Sequence, residues 1–287
     1  MGFVGIVSDS TAGLPMEIVA RHGIRVVPLY VSMGEHVFRE GVDLSYEEFY
    51  ERLPTAESLP TTSQPSPGDF TETYQSLVGQ GATSIISIHL SSGISGTVGS
   101  AKLAAQELDI PVTVVDTQCA VGVHRLAVEA AAVALDRGAS HDEAVQAAEA
   151  VVAGHRTVFV VETLDYLHRG GRIGGASALL GSVLQLKPLL HFVDGKITAL
   201  EKVRTSRRAL EQLVEIMVEW VGTEEPMRAV IMHAACPERA EQAAALLEQR
   251  LQVATLDTVL LTPVIGAHVG NGTLGVCCCP SSLAPRA

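Results

Sequence analysis

Short, almost uninterrupted apolar runs recur along the first half of the chain, each followed by a longer stretch of helical character. FVGIV (3–7), IRVVPLYV (24–31), SIISIHL (84–90), PVTVVD (111–116) and TVFVV (157–161) are rich in β-branched residues. They lack the polar alternation of a strand with one face in water, so each needs cover on both faces. Segments 67–79, 97–108 and 120–136 supply that cover as helices. Ser66, Pro67 and Asp69 form a start signal, with a capping hydroxyl, a proline at the first helical position and a carboxylate in the first turn. This alternation predicts an α/β fold, with an N-terminal domain over residues 1–160 built on a mostly parallel sheet flanked by helices.

The texture changes near residues 155–165. KPLLHFVDGKITALEKVR (187–204) is a pair of strand-like runs around Asp194-Gly195, a hairpin signal. A helix at 205–221, a strand at 228–233, a helix at 237–250 and a strand at 255–262 follow. These predict a C-terminal α+β domain over 161–280 with an antiparallel part. The polar segment 281–287 reads as a disordered tail.

Composition removes several function classes. Aromatic residues are 4% of a chain that is 47% hydrophobic, so aliphatic side chains must fill the core. The formal net charge of −12 leaves no basic stripe for a phosphate backbone, which argues against nucleic acid as a partner. Stretches such as 126–135 fall well short of the ~20 apolar residues needed to cross a bilayer, leaving at most transient membrane contact. MGFVGIVSDST reads as a first strand rather than a leader. Five cysteines, three of them adjacent at Cys277–Cys279, make a poor disulfide framework and no zinc spacing. The expected setting is reducing and cytoplasmic, with no metal and no cofactor.

Ligands of open parallel sheets bind beyond the carboxyl ends of the strands. Polar turns fall there at Ser8–Thr11, Thr61–Pro67, Ser91–Thr97 and Asp116-Thr117. Hydroxyls and unpaired N–H groups at helix N-termini suit a carboxylate or phosphate, although Ser and Thr after strands also serve as plain caps. Neither Ser92–Thr97 nor Gly170–Gly175 has the context of a nucleotide loop. His22, His36, His141 and His155 read as surface residues, and His89 as a satisfied core histidine. His268 stands between glycines in IGAHVGNG (265–272), where an accessible imidazole or a structural one would both fit. Cys277–Cys279 continue a strand-like run and read as packed rather than nucleophilic.

Together, these segments resemble the DegV family. The matching motifs are VSDST (7–11), EEFY (47–50), PTTSQPSPGDF (60–70), LSSGISGT (90–97), VVDT (114–117), LDYLHRGGRIGG (164–175), LKPLL (186–190), DGKI (194–197), EKVRT (201–205) and AHVGNGTLG (267–275). Their order and spacing span residues 3 to about 276. The resemblance implies two domains with a long-chain fatty acid buried between them. It also implies a lipid-binding subunit without an ATP site, whose partner is a separate ATP-dependent fatty acid kinase subunit. The product is then an acyl phosphate that feeds phospholipid synthesis.

Carried over by motif, Thr62 and Ser95 are the hydroxyls that bind the carboxylate, and His268 is the histidine beside it that assists phosphoryl transfer. Arg172 is the arginine that docks the kinase partner. Ile94, Ile173, Leu179, Leu180, Val183, Leu184 and Ile265 are expected to line the tunnel. One departure stands out: after GLG the chain runs Val276-Cys277-Cys278-Cys279-Pro280 into a polar tail, which leaves room for a shortened or altered final strand.

An alternative is the substrate subunit of a small-polyol (dihydroxyacetone-like) kinase, whose site would be small and polar. A lipid-sensing transcription module is a third, opposed by the acidic charge and the missing helix-turn-helix pattern.

Overall fold

The computed structural model describes residues 2–180 and 186–287. In chain order the first elements are β1 (Phe3–Asp9), α1 (Met16–His22), β2 (Arg25–Val27), β3 (Tyr30–Met33), β4 (His36–Arg39), α2 (Tyr46–Arg52), β5 (Thr61–Ser63), α3 (Pro67–Gly79), β6 (Ala82–His89), α4 (Thr97–Ala105), β7 (Val112–Asp116), α5 (Gly122–Asp136) and α6 (His141–Gly154). Then come β8 (Arg156–Val160), α7 (Asp165–Arg169), β9 (Lys187–Val193), β10 (Lys196–Val203), α8 (Ser206–Val221), β11 (Met227–His233), α9 (Pro237–Arg250), β12 (Val253–Leu260), α10 (Pro263–Val269) and β13 (Leu274–Pro280).

The apolar runs 3–7, 84–90 and 111–116 pair as expected, whereas 157–161, expected in the same parallel sheet, is β8 of the second large sheet and runs antiparallel to both its neighbours. Strands β2-β1-β6-β7 form a four-stranded sheet that is parallel throughout. The start of α3 is the one the sequence announces. Ser66 Oγ accepts from the Asp69 amide at 3.2 Å, and Asp69 accepts from the Ser66 amide at 2.7 Å. The run 24–31, expected as one strand, is two strands in different sheets. Pro28 has no N–H to give a ladder, so β2 stays with the parallel sheet while β3 leaves it. With β4 and β5, β3 forms a small antiparallel sheet in the order β4-β3-β5.

The second large sheet has six strands in the order β10-β9-β8-β13-β11-β12, antiparallel except for β11 and β12. The hairpin of β9 and β10 turns at Asp194-Gly195, both with positive φ. Strand β13 is neither shortened nor marginal. It pairs along its length with β11 and over five residues with β8, and Cys277, Cys278 and Cys279 are fully buried in it.

Helix α5 lies between the sheets, buried from Gly122 to Val133, and contacts β1 and β6 on one side and β11 and β13 on the other. One hydrophobic cluster therefore runs from Ile6 and Leu29 through α5 to Phe159, Leu190, Val230 and Cys277. Helices α8 and α9 cover the opposite face of the six-stranded sheet.

A buried ion cluster ties α5 to that sheet. Arg228, 1% exposed, pairs with Glu129 and, at 3.3 Å, with Asp257, while Arg125 donates to Glu129 at 2.8 Å. The terminal segment expected to be disordered completes this cluster. Ala284 is 1% exposed, and the Pro285 carbonyl accepts from Arg228 Nη1 at 2.8 Å. A buried guanidinium must place its N–H groups, and the tail supplies an acceptor.

Candidate functional site

Four elements converge above the six-stranded sheet. Strand β5 hangs on β3 through the Val31–Thr62 pairing, which fixes Thr62 at the edge of the small sheet. Helix α10 begins with Pro263 and ends at Gly270, placing His268 in its last turn. Thr62 Oγ1 and His268 Nε2 meet at 2.7 Å. The segments Ser91–Gly96 and Gly170–Ile173 close the other side.

His268 is half-buried, and burial, followed by the Arg172 charge, lowers its pKa to about 4. The imidazole is neutral at neutral pH. With Nε2 engaged by Thr62, Nδ1 has no hydrogen-bond partner among the described residues. It faces Gly170, where a Cβ would stand 2.3 Å from Nδ1, so only glycine leaves this nitrogen room. Ser95 Oγ is 2.9 Å from Thr97 Oγ1 and accepts from the Thr97 amide at 3.3 Å.

The loop carrying Ser95 is held from beneath. Burial pushes the Asp9 carboxyl up, but the charges of His124 and His89 and the His89 hydrogen bond outweigh this and hold it at about 2. As an anion, Asp9 accepts from the Leu90 amide at 3.2 Å and His89 Nδ1 at 2.9 Å. His89 also meets Ser87 Oγ at 2.7 Å, the satisfied core histidine the sequence suggests. Ser91 Oγ donates to the Gly195 carbonyl, tying the loop to the tip of the β9–β10 hairpin. Of the histidines read as surface residues, only His36 is exposed. The His22 side chain is buried, His141 and His155 are half-buried, and His141 meets Thr113 and Ser84.

Arg172, which the family motif marks as the partner-docking arginine, is bonded within its own chain. It is half-buried, with Nε donating to the Ile94 carbonyl at 3.0 Å and Nη1 to the Gly170 carbonyl at 2.7 Å. It thus joins the loop of Ser95 to the loop facing His268.

Thr62, Ser95, Arg172 and His268 all line one cavity. Beyond them, and apart from Ser63, Gln64, Thr157 and Thr273, the wall is apolar. Ile197, Phe192, Phe159, Gly275 and Met232 line it from five successive strands, β10 to β11. Four strand spacings make this stretch about 19 Å. Ile94 and Ile265 belong to the wall as expected. Ile173, Leu179 and Leu180 do not, and Leu180 is 39% exposed. Val183 and Leu184 lie outside the described residues.

The sequence reading missed Phe159, Phe192, Met232 and Gly275, because their common face depends on the strand order 10-9-8-13-11, which no local pattern encodes. It also missed Glu40, 2% exposed, whose Oε1 accepts from the Val264 amide at 2.6 Å. Pro263 offers no N–H, so this is the first amide α10 can present.

A deep apolar cavity with polar groups gathered at one place suits an amphiphile with a hydrogen-bonding head. Among the described residues, no group of three or more His, Cys, Asp or Glu side chains is placed to hold a metal. No helix among them is long and apolar enough to cross a membrane.

The chain matches a family model described as "Uncharacterised protein, DegV family" over residues 3–281. A DegV domain-containing protein of Streptomyces coelicolor is 44% identical over 274 residues, covering 95% of this chain and 97% of that one. Among solved structures, a DegV family protein from Thermus thermophilus described for its fatty acid binding superposes with a TM-score of 0.91 at 35% identity, covering 97% of this chain and 99% of that one. DegV of Bacillus subtilis, described as a fatty acid binding protein, gives a TM-score of 0.88 at 35% identity, with 98% and 100% covered.

Proposed function

This chain belongs to the DegV family, and on that premise we propose that it binds a long-chain fatty acid and presents the carboxylate to a separate ATP-dependent kinase subunit in the cytoplasm. The observation that carries the reading is the junction of an apolar cavity with Thr62, Ser95 and a neutral His268 whose Nδ1 is unengaged. A carboxylate without hydrogen bonds in such surroundings would be very unfavourable. The two hydroxyls and the imidazole satisfy it and leave an oxygen approachable for phosphoryl transfer. Burying a sixteen-carbon tail contributes on the order of 12 kcal/mol gross at ~0.8 kcal/mol per methylene, from which association entropy removes a large part.

Arg172 sits at the mouth with its side chain anchored by two carbonyls. We assign it the contact with the kinase subunit. The small-polyol alternative is disfavoured by the apolar span from Ile197 to Met232, which a triose would leave empty.

Native mass spectrometry of the purified protein, followed by analysis of its organic extract, tests the ligand. We expect about one long-chain acid per chain. Recovery of only water or a triose would remove the lipid reading. With a cognate kinase subunit and ATP, Arg172→Ala should form acyl phosphate ten-fold or more slowly, a loss well beyond the smaller one in its lipid titration that follows from releasing the two loops it joins. Normal turnover at limiting kinase would remove the docking role.

A further inference from the structure

Three cavity-lining residues form a single row across adjacent strands. Gly275 in β13 lies directly opposite Phe159 in β8 on one side and Met232 in β11 on the other. Side chains directly opposite on an antiparallel pair stand ~5 Å apart, so a glycine between two large residues leaves a notch in the wall. The structure gives that notch a size. A Cβ placed on Gly275 would stand 3.0 Å from Met232 Cε and 3.2 Å from Phe159 Cβ, so both neighbours lean into the space the glycine vacates. A glycine within a strand weakens it, and its usual justification is a bend or the close approach of another group. Here the row faces the cavity.

We propose that the Gly275–Met232 pair gauges the acyl tail, setting the longest chain the protein accepts. This rests on the fatty-acid reading of the cavity. The polar cluster comes from β5, α10 and the loops of Ser95 and Arg172, whereas the row offers carbon, sulfur and backbone, as a tail requires. Met232 is suited to mark a limit. Its Sδ accepts from the Gly122 amide at 3.3 Å, which pins the sulfur, while its terminal methyl points toward Gly275. Methionine yields to shape more readily than a branched residue, so the limit is soft by a methylene or so. Adding a methyl at 275 narrows the notch, and shortening residue 232 widens it. The two changes act on the same space from opposite sides.

The test compares the wild type with Gly275→Ala, Met232→Ala and the double variant, each purified from the same host. Extracted acids are profiled by chain length, and the delipidated proteins are titrated with a series of saturated acids. Gly275→Ala should shift the profile to shorter acids and weaken the longest wild-type ligand about ten-fold, the equivalent of roughly two lost methylene contacts. Met232→Ala should shift it to longer acids, and the double variant should return toward the wild type. If Gly275→Ala does not fold, Met232→Ala alone carries the test, because it only removes atoms. Lipid-loaded single variants with wild-type profiles would overturn the gauge and leave the fatty-acid reading standing. A wild type that takes up no acid would overturn both.

Discussion

Thr62 and His268 are separated by 206 positions in the chain and by 2.7 Å in the lining of the cavity. The contact engages Nε2, while Nδ1 is buried against Gly170 with no hydrogen-bond partner among the described residues. Replacing Thr62 or Ser95 with Ala should weaken fatty-acid binding by about 1–3 kcal/mol, because each change strands a lone pair of a buried carboxylate. The matching fatty alcohol has no such charge and should respond much less. Calorimetric titration of both ligands checks this, and equal losses for acid and alcohol would reduce the hydroxyls to structural caps. Individual residues of this site were legible in sequence because they stand in short polar motifs, TTSQPS and LSSGISGT, that keep their identity out of context. The apolar wall was not. Phe159 and Gly275 carry no local mark of the cavity, and leucines near Arg172 that looked equally suitable face elsewhere.

Among the elements, α10 is a short helix of seven residues with a direct part in the site, and it depends on a carboxyl from outside itself. Glu40 follows β4 and accepts from the Val264 amide, joining the small sheet that carries Thr62 to the helix that carries His268. Burial pushes the Glu40 carboxyl up to about 7, with the Ser10 and Thr262 hydroxyls and the Val264 amide pulling it down and the charge of Asp9 raising it further. Tyr46 and Tyr50 also face it, with their own hydroxyls raised chiefly by burial. Because the folded-state pKa lies above the ordinary carboxylate value, the folded protein holds a proton the unfolded chain releases. Glu40 thus contributes stability that is fully present below about pH 4.5 and is lost as pH rises toward 7. Glu40→Gln keeps an acceptor for Val264 and cannot ionise. Its stability relative to the wild type should rise by on the order of 3 kcal/mol across that window, measured by urea unfolding at a series of pH values. A flat difference would mean that the carboxyl does not titrate there. Element types were read well wherever a start signal stood beside the apolar pattern, as at Ser66–Asp69. They were misread where one residue redirects the chain: Pro28 sends β3 to another sheet, and nothing near Thr61–Ser63 announces that these residues will find β3.

Over the whole molecule, the parallel sheet and the hairpin followed from local pattern, but the joining of the two large sheets did not. That joint is α5, whose buried ion cluster reaches the last residues of the chain. Truncation after Pro280 removes the carbonyl that accepts from Arg228 and the packing of Ala284. Stability should fall by about 1–3 kcal/mol, the usual cost of leaving a buried donor unpaired, with the far-ultraviolet spectrum unchanged. An unaltered denaturation midpoint would show the tail to be ornamental. Strand β13 has a different kind of importance. It lies between β8 and β11 in the sheet that floors the cavity, yet it is the last strand to be synthesised. While the ribosome is still at work, β8–β10 and β11–β12 exist as two fragments whose facing edges have no partner, and such edges invite pairing with other chains. The floor closes only when Leu274–Pro280 slots between them. A nascent chain therefore has no closed cavity until its last strand is in place. A stop codon shortly before residue 274 should be as damaging as one near the middle of the gene.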